Sequence, residues 1–169
     1  ISLHGLTING TCTLHSNAGL GVVRTITITG ATSSFIVSSG KTVTFGENNK
    51  GRLDFTLATS ASGNIAGTVF INSYSGGGYD RTFTNNGNLT ILSTGVITGQ
   101  NASKFVLNSG ATLQIANPAG ITSSGTNGAV QVPGSRTYNT GANYFYNGAT
   151  TQVTGNGLPA TVASLKINN

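Results

Sequence analysis

Methionine and tryptophan are absent from this chain, Glu47 is its one glutamate, and Asp54 and Asp80 are its only aspartates. Strong helix formers never gather with 3.6-residue spacing, and no window carries helix start and stop signals. Helical architecture is therefore excluded. Only 7% of the residues are charged, against about a quarter in ordinary globular domains. Cys12 is the single cysteine, so an internal disulfide framework is impossible. No apolar run is long enough to cross a membrane, and no signal peptide opens the chain. It begins directly on strand-like ISLHGLTI, which reads as a processed product or an excised piece. The eight basic residues, Arg24, Lys41, Lys50, Arg52, Arg81, Lys104, Arg136 and Lys166, outnumber the acids and give a net charge of +5. They are scattered along the chain, whereas a nucleic-acid footprint needs them on one face. We read them as solvated surface charges and expect no nucleic-acid partner and no membrane insertion.

What the chain has in quantity is glycine, 25 residues of it. With Thr, Ser and Asn it makes up roughly half the sequence. Thr suits strands, and Gly, Asn and Ser suit tight turns. Short strand-like runs recur throughout, among them VVRTITIT (22–29), KTVTF (41–45), RLDFTL (52–57), NLTIL (88–92) and ATLQI (111–115). In TITIT and TVTF every second residue is apolar, so one face is dry and the other wet. The fold class is all-β.

Internal similarity suggests how the strands are arranged. FIVSSGKTVTF (35–45) matches FVLNSGATLQI (105–115), LTINGTCTL (6–14) matches LTILSTGVI (89–97), and the final SLKINN (164–169) echoes LTING (6–10). Degenerate repeats of short strands are the mark of a solenoid, with coils of about 20 residues and roughly seven or eight of them. At about 4.8 Å per coil the stack would be about 35–40 Å long. The alternative is an antiparallel β-sandwich, because the five Asn-Gly pairs also favour hairpins. The repeats are staggered by whole motifs, which favours a parallel β-helix or β-solenoid. We divide the chain into solenoid coils over 1–138 and a terminal coil or capping β-hairpin over 139–169.

FTNNGNLTI (83–91), VLNSGATLQI (106–115) and YNGATTQVTGNGLPATVASLKINN (146–169) resemble the β-strand repeat regions of very large secreted proteins of Bacteroidetes-type bacteria. The resemblance covers most of the chain. It implies export, often by the type IX route, and a surface or extracellular role in adhesion or matrix. It carries no catalytic motif to transfer, and the usual C-terminal sorting domain is not matched here.

Motifs for chemistry are scarce. Glu47 and Asp54 could approach one another on adjacent strands, but Lys50 and Arg52 lie between them, and a surface ion-pair cluster explains the ENNKGRLD stretch. Ser38-Ser39-Gly40-Lys41 fits S-x-x-K, yet that chemistry needs one helical turn and this segment is strand, turn, strand. Gly155 to Ala160 mimics G-x-G-x-x-A with no βαβ unit around it. His4, Cys12 and His15 fit no zinc spacing, and Cys12 reads as a small hydrophobe alternating into the core. Gly76-Gly77-Gly78-Tyr79-Asp80 resembles one turn of a calcium roll, which needs several in tandem. Three N-x-[ST] sites, at Asn9, Asn88 and Asn101, are what such a composition supplies by chance. We expect no catalytic residue, no metal and no cofactor.

Two surface features invite function. Thr-x-Thr pairs occur at Thr11/Thr13, Thr25/Thr27/Thr29, Thr42/Thr44 and Thr82/Thr84. Stacked Thr ladders can order water, as in some ice-binding proteins, if they recur evenly from coil to coil. These recur at uneven intervals, so ordinary outward-facing Thr accounts for them. Tyr138, Tyr144 and Tyr146, beside Phe145, could stack on sugar rings or pack the closing edge of the stack. The expected function is a non-enzymatic structural or adhesive module, secreted or on the cell surface, associating with itself or with neighbouring repeats. A carbohydrate-binding module with those tyrosines as its platform is the alternative.

Overall fold

Strands this short, dry on one face, cannot bury that face alone. In the computed structural model, which describes residues 1–19, 21–32, 34–74 and 80–168, they do so by coiling. The first coil carries β1 (Ser2–Leu3), β2 (Leu6–Ile8) and β3 (Cys12–Leu14), and the second β4 (Val23–Ile28), β5 (Phe35–Val37) and β6 (Thr42–Phe45). The third carries β7 (Arg52–Leu57), β8 (Ser62–Ile65) and β9 (Thr68–Asn72), and the fourth β10 (Thr82–Asn85), β11 (Asn88–Ile91) and β12 (Val96–Gln100). β13 (Lys104–Leu107) and β14 (Thr112–Ile115) begin the fifth, β15 (Arg136–Tyr138) and β16 (Asn143–Tyr146) the sixth, and β17 (Ser164–Ile167) lies beyond.

Like strands of successive coils pair into three sheets. The first runs β1-β4-β7-β10-β13-β15, the second β2-β5-β8-β11-β14-β16-β17, and the third β3-β6-β9-β12. Every pairing between these strands is parallel. The chain is thus a parallel β-solenoid, and the antiparallel sandwich is excluded. β16 and β17 join the second sheet in parallel, so the stretch after residue 138 extends that sheet without forming a hairpin with it.

The coil length and count differ from expectation. Phe83 pairs with Phe105, 22 residues on, while Phe105 pairs with Arg136, 31 residues on. The six strands of the first sheet define about five turns. The reason lies in the corners. FIV and TVTF of 35–45 occupy the second and third sheets, whereas their match at 105–115 occupies the first and second. The recurring unit is one strand–turn–strand corner, and similar corners occur more than once per coil. Counting them as coils shortens the apparent repeat.

Inward positions form columns. In the first sheet Ile26, Phe55, Phe83 and Phe105 stand in register, all buried. Phe35 and Phe45 lean in from the other sheets, with ring centroids 4.5 Å and 4.9 Å from Phe55, and Phe55 stacks on Phe83 at 4.7 Å. Gly63 stands in the Phe35 column between Phe35 and Leu89. A Cβ there would come within 2.9 Å of Leu89 Cδ1, 3.5 Å of Leu57 Cδ2 and 3.6 Å of Phe35 Cδ1, so the missing side chain is room that these three core residues use. The corners stack as closely: Thr68 N–H donates to Lys41 O at 2.8 Å and Asn88 N–H to Ala61 O at 2.9 Å. Ala, Gly and Asn suit these corners because a rung below sits directly against them.

Candidate functional site

Three places concentrate unusual chemistry: the interior beside Arg81, the closing rungs around the tyrosines, and the outer face of the third sheet. Arg81 immediately precedes β10 and is completely buried, which corrects its reading as a surface charge. Its guanidinium donates to Glu47 O at 2.9 Å, Lys50 O at 3.2 Å and Gly51 O at 3.4 Å, and also to Asn72 O. Its backbone N–H donates to Ser73 Oγ at 2.8 Å. Nε finds no acceptor. The cage exists because residues 47–51 turn back with their carbonyls facing inward, and Gly46, at φ +95°, leaves space a side chain would take from the Arg81 stem. Burial lowers the Arg81 pKa, nearby Asp54 opposes that, and Arg52 adds to it. Little along the chain warns of this, since Arg81 follows the glycine-rich stretch like any surface cation.

The acids are all engaged. Asp54 accepts from Arg52 Nε at 2.8 Å and from the Thr82 backbone N–H at 2.9 Å, joining the third rung to the fourth. Asp80 pairs with Lys104 at 2.8 Å, and Glu47 faces His15 at 3.4 Å near the surface. Glu47 and Asp54 are thus tied to different partners and form no acid–base pair with each other. Among the described residues no group of three His, Cys, Asp or Glu side chains could hold a metal. Cys12 is partly buried against the core. Residues 76–79 of the calcium-like turn lie outside the described residues.

Tyr144 and Tyr146 are each only 1% exposed. They occupy the inward positions of β16 over Leu113 and Ile115, and their hydroxyls donate to Asn139 O at 2.9 Å and Thr154 O at 2.8 Å. Tyr138 is partly buried, 6.0 Å from Phe105, and donates to Thr122 O at 3.3 Å. Burial raises all three pKa values, that of Tyr144 to about 12. The rings read as a sugar platform therefore face inward, because the alternation of NYFY turns both tyrosines to the core. Phe145 is the ring left on the outer side, with Lys166 Nζ 4.6 Å from its centroid.

On the third sheet the uneven Thr intervals resolve into columns. Thr13, Thr44, Phe70 and Thr98 stand in one register line, and Thr42, Thr68 and Val96 in the next. Thr11 lies beside Thr42, whose N–H reaches its Oγ1 at 3.4 Å. Unequal corner lengths are absorbed outside the sheet, so even columns arise from uneven sequence spacing. A cleft of about 620 Å³ opens near the first rungs, walled by Ile1, Leu14, His15, Arg24, Ile26 and Leu53. It arises where β1 pairs with only Thr27 and Ile28 of β4.

No protein-family model, curated protein or solved structure matches this chain.

Proposed function

We propose that this solenoid is a non-enzymatic structural and adhesive module of a secreted or cell-surface bacterial protein, and that it associates end to end by stacking coil on coil. The observation that carries this reading is where apolar surface remains. The exposed large hydrophobic residues among those described are Ile1, Val22 and Val23 in the first two coils and Val153, Leu165 and Ile167 in the last turn. The described residues of the rungs between expose none. Apolar surface left at the ends of a stack of coils is what a further coil would cover.

The columns support it too. Leu6 and Ile8 at one edge of the second sheet stand in the same inward lines as Leu165 and Ile167 at the other. A coil added at either edge would meet side chains of the kind already stacked within. The edge strands also present backbone groups that parallel pairing would satisfy. The hydroxyl- and amide-rich surface and the resemblance to secreted repeat regions favour an extracellular setting. The carbohydrate-binding alternative has lost Tyr144 and Tyr146 to the core, so the structural reading is preferred.

Negative-stain electron microscopy and sedimentation across a concentration series test it. Filaments or oligomers that grow with concentration, and that disappear in a Leu165→Asp, Ile167→Asp double variant, are expected. Separate rods at every concentration would count against stacking.

A further inference from the structure

We infer that the outer face of the third sheet is an ice-adsorbing surface, a site separate from the coil ends. Its outward side chains are Thr13 on β3, Thr42 and Thr44 on β6, Thr68 and Phe70 on β9, and Val96 and Thr98 on β12, with the amides Asn72 and Gln100, bonded to each other, at the far end of β9 and β12. Their neighbours Val43, Phe45, Val69, Ile71 and Ile97 are buried, which fixes the direction of the alternation. The two register lines make a two-dimensional array of hydroxyl and methyl groups, interrupted by the Phe70 ring. Its repeats are about 4.8 Å across the strands and about 6.6 Å along them. These lie near the two repeats of the prism face of hexagonal ice, an uncharged lattice of water oxygens.

Its lack of charge separates this face from the others, including the Thr27, Thr56 and Thr84 column of the first sheet, and two further properties suit it to ice. It is uncharged: β3, β6, β9 and β12 hold no Asp, Glu, Lys or Arg. The first sheet carries Arg24, Arg52, Asp54, Lys104 and Arg136, and the second carries Lys166. Fixed charges bind their own hydration shells and oppose an ice-like arrangement of water. Its hydroxyls are also unspent, since among the described residues Thr13, Thr42, Thr44, Thr68 and Thr98 make no side-chain hydrogen bond within the protein. Finally, it is rigid. Threonine is stiff at χ1, and these strands are held by parallel pairs over a packed core, so little side-chain entropy is lost on adsorption.

A crystalline polysaccharide is the competing flat ligand. It is recognised by stacking on several aromatic rings, and this face offers only Phe70. The methyls of Thr and Val96, with hydroxyls between them, instead suit water held in place by both anchoring and exclusion.

The test uses the purified chain in a nanolitre osmometer, with thermal hysteresis, crystal shaping and incorporation into a growing ice hemisphere as readouts. The wild type is expected to shape ice and to show a freezing gap. Thr44→Lys and Thr68→Lys, checked for fold by circular dichroism, are expected to lose both. Thr56→Lys, which stands outward on the first sheet in line with Thr27 and Thr84, is expected to keep them. The inference is overturned if the wild type neither shapes nor enters ice, whatever the variants do. It is also overturned if Thr56→Lys loses activity as fully as Thr68→Lys, or if the chain binds microcrystalline cellulose and not ice. Filament formation at the coil ends is scored separately, so either result can stand without the other.

Discussion

Replacing Arg81 by methionine isolates what a buried cation does in a chain nearly devoid of acids. Methionine keeps much of the stem volume and removes the donors, leaving the carbonyls of Glu47, Lys50, Gly51 and Asn72 facing an apolar side chain. Hydrogen bonds from a charged donor contribute about 1.5–3 kcal/mol each. Removing the ion also relieves its desolvation cost, which is several kcal/mol in a real interior. With four carbonyls losing a charged donor, of which Glu47 O keeps the Lys50 N–H, and one burial cost removed, the net loss is about 3 kcal/mol. For a chain of this length that lowers the melting temperature by about 6–12 °C. Circular dichroism melts and urea titrations measure it, and hydrogen exchange at the Thr82 and Phe83 amides localises it to the third and fourth rungs. Arg81→Lys, with one compact donor group in place of a fork, should fall between the two. If Arg81→Met melts at or above the wild-type temperature, the carbonyl cage is not stabilising and the buried cation is a net cost.

Two further outcomes follow from packing and from titration. Gly63→Val should destabilise by about 1–3 kcal/mol through overpacking, read as a lowered urea midpoint, because its side chain would enter the space between Phe35 and Leu89; an unchanged midpoint would show that the phenyl column can yield. The Tyr144 pKa rises from 10.0 to about 12 on burial, so the folded chain holds this proton after the unfolded chain has released it. The associated stability is intact below pH 10 and is lost as pH climbs toward about 12, a change of about 3 kcal/mol for two units. Alkaline unfolding followed by tyrosinate absorbance should therefore be steeper in the wild type than in Tyr144→Phe, and superimposable curves would refute the assignment.

How much of this was legible in the residues depended on whether a feature is local. Alternation in TITIT and TVTF exposes strands and their dry faces directly, and the absence of helical spacing removes every competing class. The parallel arrangement was legible in motifs that repeat by translation. Coil length was not, because FIVSSGKTVTF and FVLNSGATLQI are the same corner used at different vertices of the coil. Register between rungs is equally invisible along the chain. Thr44 and Phe70 stand 26 residues apart and Thr13 and Thr44 stand 31 apart, yet all three share one column. Tyr144 and Tyr146 misled for a related reason. Three neighbouring aromatics resemble a surface cluster, but a strand sends alternate residues to opposite faces, and here the tyrosines took the inner one with their hydroxyls bonded to backbone carbonyls.

The positive charge of the chain acquires a structural account from the same geometry. Arg136 repeats the device seen at Arg81: it donates to Val132 O at 2.9 Å, to Thr122 O at 3.1 Å and to Thr122 Oγ1 at 2.7 Å, and it also reaches Gly125 O. Those contacts close the long excursion between β14 and β15 onto the body of the solenoid, where Ile121, Ala129, Val130 and Val132 are buried. In both places an irregular turn presents several carbonyls close together, and a guanidinium with five donors gathers them at once. A carboxylate could not substitute, since it only accepts. Arg52 and Lys104 are matched by Asp54 and Asp80, and Lys166 lies over the Phe145 ring. Five of the eight basic residues are thus occupied within the fold. The excess of bases over acids follows from a solenoid whose irregular turns need donors, and those donors, unlike the threonines of the third sheet, are already spent.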